Sequence, residues 1–170
     1  MVTNHARQSG GQRDGRSPQL TAERLVLALA CVPGSTSACA THGDESTVAV
    51  LADYYALVAR AAAAAGGRVV KVMGDAALVT FPVGRAREAV EAMRSLQAGG
   101  TGLWRGFDAR CSVEVKVGAG AVVCGRFGPP GDERPDVYGD ALNRLFKAAR
   151  GEFVLTPEVE ALLQSEVPRD

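Results

Sequence analysis

The chain has 170 residues, 46% of them hydrophobic and 22% charged. That suits one domain with its own core, since a chain of this size buries roughly 68–70% of its unfolded surface on folding. Nineteen basic residues balance nineteen acidic ones, which argues against a general nucleic-acid or anionic-membrane binder, because both require a basic footprint.

No run approaches the roughly 18 consecutive apolar residues of a membrane span. Met1 to Leu20 is polar and rich in Gly and Arg, with no signal-peptide core. Such a segment cannot repay the entropy of ordering, so a flexible tail over 1–20 followed by one domain over 21–170 is expected, in the cytoplasm. Cys31, Cys39, Cys111 and Cys124 show neither Cys-x-x-Cys spacing nor histidine partners at zinc-site intervals, since the histidines are His5 and His42. They read as reduced, mostly buried thiols.

Arg24 to Val32 is a continuous apolar run of strand length, stopped by Pro33-Gly34. From Ser46 to Ala65, Val50, Leu51, Tyr54, Val58 and Ala62 recur at helical spacing, and Gly66-Gly67 supplies a stop. Arg68–Met73 and Ala76–Phe81 are short β-rich runs around Gly74-Asp75, a pair suited to a type II′ hairpin with Asp75 at its tip. Ala86 to Leu96 predicts a second helix, and Gly99 to Gly106 a loop. Two strand-like runs follow, Ala109–Val117 and Ala119–Phe127, hinged at Gly118 and Gly120; a loop is expected from Gly128 to Asp136. Gly139–Arg150 reads as a third helix, Glu152–Leu155 as a last strand, and a short helix starts at Pro157. This order suits an α+β protein whose sheet has helices packed on one face.

Three segments then carry chemistry. The hairpin Gly67 to Phe81, the glycine-spaced run Gly120 to Gly128, and Asp136-Val137-Tyr138-Gly139 leading to Asn143 and Lys147 occur in this order. Together they resemble the catalytic domain of class III nucleotidyl cyclases, the adenylate and guanylate cyclases, over roughly Glu23 to Leu163. The resemblance implies the class III cyclase fold, a ferredoxin-like, palm-type antiparallel-rich sheet with helices packed on one face, and a head-to-tail homodimer with composite nucleotide sites. It implies two aspartates holding two metal ions that activate a ribose hydroxyl and neutralise a triphosphate. Asp75 corresponds to the second of them. The first falls on Cys31, a soft and mostly protonated ligand where magnesium prefers hard oxygen. Any metal, magnesium or manganese, is therefore expected to be held weakly.

The same resemblance places Lys147 where the family has a transition-state arginine, and a point ammonium does not reproduce a guanidinium fork. Asn143 falls where an asparagine positions the ribose. Lys71 and Asp136 fall where adenine-selective members read the purine edge, which favours ATP over GTP. Gly34-Ser35-Thr36, between a strand and a helix, is a place where free backbone N–H groups cradle phosphate.

Each residue also has an ordinary structural explanation. Gly-Asp at a hairpin tip needs only turn chemistry, Lys71 and Asp136 suit a solvated strand and loop, and Lys147 suits a helix end. Their joint register sets them apart. The expected function is a cyclase-like domain with a degenerate site, acting as a nucleotide-binding or partner-binding regulator in signalling. The alternatives are a weakly active adenylate cyclase, with a heterodimer with an intact chain as a further route to activity, and an interaction scaffold without nucleotide. Few exposed aromatics argue against an RNA-binding sheet.

Overall fold

The computed structural model describes residues 20–165. The expected tail lies outside the described residues apart from Leu20. Strand β1 spans Thr21–Cys31, and α1 (Ser35–His42) and α2 (Asp44–Ala64) follow it. The helix expected over Ser46–Ala65 is α2, which begins at Asp44 after Gly43, at φ 85°, with the short α1 preceding it.

The hairpin β2 (Arg68–Met73) and β3 (Ala76–Pro82) forms as expected. Gly74 alone takes a positive φ there, 61°, as a II′ turn demands. A 3-10 turn at Val83–Arg85 leads into α3, Ala86–Phe107. The rest is β4 (Glu114–Phe127), β5 (Arg134–Tyr138), α4 (Asp140–Lys147), β6 (Phe153–Leu155) and α5 (Pro157–Ser165).

The sheet runs β2-β3-β1-β4-β5 with antiparallel neighbours, and β6 pairs in parallel with the start of β4. Side chains alternate across β1. Val26, Ala28 and Ala30 enter a core with Tyr54, Val58, Met93, Trp104 and Val159 of α2, α3 and α5. Leu25, Leu27 and Leu29 enter a smaller core with Ala141, Leu142 and Leu145 of α4. The α+β architecture stands, but α4 covers the face opposite the other core helices.

Two glycines explain that seat. A Cβ on Gly120 would lie 2.6 Å from Ala141 Cβ, and one on Gly118 would lie 3.2 Å from Leu145 Cδ1. They form a flat strip beneath α4, and β4 passes through them unbroken, with no hinge.

The expected loop at Gly99–Gly106 is instead the last third of α3. Met93, Leu96, Gly100 and Trp104 continue one buried stripe, and Trp104 is fully enclosed. A Cβ on Gly100 would meet Val113 Cγ2 at 2.9 Å, so the helix passes close to the start of the β4 segment. Tertiary packing thus overrides the poor helix propensity of four glycines. The expected loop up to Asp136 also gives way to β5, whose Pro135 pairs opposite Arg126.

By length and composition alone, α2 is apolar enough to cross a bilayer, largely through its alanines. In the fold Thr47, Tyr54, Val58 and Ala62 are buried.

Candidate functional site

The end of β1 and the tip of the β2–β3 hairpin are stapled together. Asp75 Oδ2 accepts the Val32 N–H at 3.1 Å, and the Tyr55 hydroxyl donates to the Gly74 carbonyl. The hairpin acid therefore stands beside Cys31, as the sequence pattern anticipates. Cys31 is partly exposed and lies opposite Glu114 in the β1–β4 ladder. Burial pushes its thiol pKa up, and Glu114 and then Asp75 push it further, while Lys116 and Arg150 act the other way. A thiol so raised is protonated at neutral pH.

This donor set does not fit a pair of magnesium ions. One Asp75 oxygen already serves a backbone amide, the thiol is soft and neutral, and among the described residues no three His, Cys, Asp or Glu side chains are placed to share an ion. Glu114 and Lys116 escaped the sequence reading because only strand register brings them to Cys31. Lys116, 9% exposed, lies two residues along β4 and donates to the carbonyls of Ala148 at 2.6 Å and Phe146 at 3.4 Å. It caps the C-terminal end of α4.

At the start of α1, Gly34 adopts φ 95°. The Ser35 N–H donates to Val32 O at 3.1 Å and the Ala38 N–H to Gly34 O at 2.9 Å. Among the described residues the amides of Gly34, Thr36 and Ser37 have no acceptor, so two of the expected Gly34-Ser35-Thr36 trio keep open donors. Ser35 is removed from the donor set and Ser37 enters it.

Lys71 and Asp136 come from strands at opposite ends of the sheet, and their side chains meet at 2.7 Å. They are 32% and 15% exposed, a wet and partly shielded pair. Asp136 Oδ1 also accepts the Val137 N–H at 2.8 Å, which fixes the carboxylate. Lys71 Nζ lies 5.7 Å from the centre of the Tyr138 ring, and Tyr138 meets Phe127 edge-on at 4.6 Å. These residues line a cleft of ≈ 500 Å³ with Val70, Val72 and Arg134, room for a small organic ligand.

Asn143 and Lys147 are exposed one turn apart on α4. Neither side chain bonds another described residue. Within one chain no hydrogen bond or ion pair among the described residues joins the Asp75 group, the Lys71–Asp136 pair and the α4 pair.

No family model and no curated protein matches the sequence. Solved structures do match. The adenylyl cyclase CyaB of P. aeruginosa superposes with a TM-score of 0.76 at 19% identity, over 87% of this chain and 84% of that one. A bacterial light-regulated adenylyl cyclase gives 0.75 at 15% identity, over 85% of this chain and 46% of that one. The chain has the class III nucleotidyl cyclase fold. A class III adenylyl cyclase-like ATP-binding protein from Pseudomonas aeruginosa shares this cyclase fold too, with a TM-score of 0.67 at 15% identity, over 84% of this chain and 35% of that one. At these identities the likeness is one of fold, and the chain spans about half of the light-regulated protein and a third of the ATP-binding one.

Proposed function

We propose that this cyclase-fold chain binds ATP as a homodimer and acts as a nucleotide-responsive regulator with little or no cyclase turnover. The observation that carries the reading is the Lys71–Asp136 pair, drawn together at 2.7 Å over a cleft from the two ends of the sheet. A lysine ammonium donates and a carboxylate accepts, which suits the N1 acceptor and amino donor of adenine. Thr36 and Ser37 offer amides to phosphate, and Asn143 and Lys147 offer an amide and a cation to ribose and phosphate.

Turnover is a different demand. Cys31 supplies a neutral thiol where an ion-holding carboxylate is wanted, and Lys147 supplies a point charge where a fork is wanted. If each loss costs about 3 kcal/mol, each slows the reaction by roughly 10²-fold.

Calorimetric titration with ATP and GTP tests the proposal. ATP should bind more tightly than GTP, and Lys71→Ala and Asp136→Ala should each weaken ATP by about tenfold or more, the cost of unpairing a partly buried charge. Equal affinity for both nucleotides, untouched by either variant, would overturn it, and no binding of either nucleotide would overturn it in favour of the scaffold reading. Glu114 beside Cys31 favours one other reading, weak adenylate cyclase activity. Cyclic AMP formed with manganese and lost in both Asp75→Ala and Glu114→Ala would establish that instead.

A further inference from the structure

The turn after α3 grips both ends of α1. Asp108, 8% exposed, accepts from the backbone N–H of Arg110 at 3.0 Å and from its guanidinium through Nε at 3.0 Å and an Nη at 2.7 Å. That guanidinium donates onward to Thr41 Oγ1 at 2.9 Å, and the Thr41 hydroxyl donates to the Ser37 carbonyl at 2.9 Å. His42 Nε2 lies 3.1 Å from Asp108 Oδ2, and its ring packs on Phe107 with centroids 4.6 Å apart. At the other end of α1, a Cβ on Gly34 would lie 3.1 Å from Arg110 O and 3.3 Å from Cys111 Sγ.

The relay from Asp108 through Arg110 and Thr41 therefore ends on the Ser37 carbonyl, in the first turn of α1, where the Gly34, Thr36 and Ser37 amides are open. A buried carboxylate clamped by a bidentate fork is a rigid anchor. It fixes the axis of an eight-residue helix, too short to hold its own geometry in water. We propose that Asp108 is a positioning residue for phosphate: through Arg110 and Thr41 it aims the Thr36 and Ser37 amides at the nucleotide's phosphate chain. This rests on the nucleotide-binding reading above. It adds a segment, residues 108–111, that lies outside the three motifs of the resemblance.

Titrating ATP and adenosine in parallel separates aim from mere structure. Asp108→Asn keeps the shape and removes the charge; it should weaken ATP by about tenfold while adenosine binds as to the unaltered chain. Thr41→Val, on an exposed helix position, cuts the same relay without touching the buried acid and should weaken ATP about threefold, again sparing adenosine. An equal loss of ATP and adenosine in both variants, or ATP affinity unchanged in both, would overturn the assignment. An unaltered chain that binds neither ligand would instead overturn the nucleotide reading itself.

Discussion

At Cys31 one side chain decides what the site can hold. The thiol is raised by burial and by two flanking carboxylates, so sulfur brings no charge at neutral pH, whereas an aspartate there would be ionised beside Asp75 and Glu114. Three crowded carboxylates repel one another, and an ion relieves that repulsion. Cys31→Asp is therefore expected to gain manganese-dependent cyclic AMP formation by roughly 10²-fold over the unaltered chain. It should also gain a manganese-induced rise in melting temperature that the unaltered chain lacks. A variant that takes up manganese yet forms no more product would place the limitation at Lys147. Asp108 works by the opposite logic: the Arg110 fork and amide hold its carboxyl well below the usual range, with His42 adding to them. A depressed acid contributes stability that is complete above its unfolded value near 4 and fades as pH falls toward the folded one. The acid-unfolding midpoint should thus move to higher pH in Arg110→Ala, read by circular dichroism.

The elements show what a single sequence can and cannot disclose. The hairpin was legible because Gly74-Asp75 between β-rich runs has one local solution. Helix α3 was legible only to Leu96, because Gly99, Gly100, Gly102 and Gly106 read as a loop until Trp104 and Val113 are seen to bury that surface. These glycines have unequal duties. Gly99, Gly102 and Gly106 have nothing within 4 Å of an added Cβ. Alanine at each should stabilise by about 0.5–1 kcal/mol through helix propensity. At Gly100 the same change drives a methyl against Val113 at 2.9 Å and should cost about 1–3 kcal/mol instead. Urea denaturation of the four variants checks the split, and four changes of the same sign would contradict it. The position of α4 was illegible for a similar reason, since the glycine strip in β4 looks like a break until a helix is laid on it.

For the whole molecule, the motifs located Lys71 and Asp136 sixty-five residues apart, but not that the sheet brings its outermost strands close enough for them to touch. Nor could composition reveal Glu114, Lys116 or the 108–111 turn, whose meaning lies in register and packing. No hydrogen bond or ion pair among the described residues joins the Asp75 group, the Lys71–Asp136 pair and the α4 pair, and in the proposed homodimer two chains gather the full nucleotide contact set. Sedimentation at tens of micromolar should give a dimer, and a monomer that binds ATP with full affinity would contradict that reading. One enclosed side chain offers a way to watch the molecule. Trp104 is the chain's one indole, fully buried in the glycine-rich last third of α3, four residues before Asp108. Its fluorescence colour thus reports whether that stretch is seated. Light shifting to the red while the remaining helices persist would mark the segment behind α1 as the first to let go.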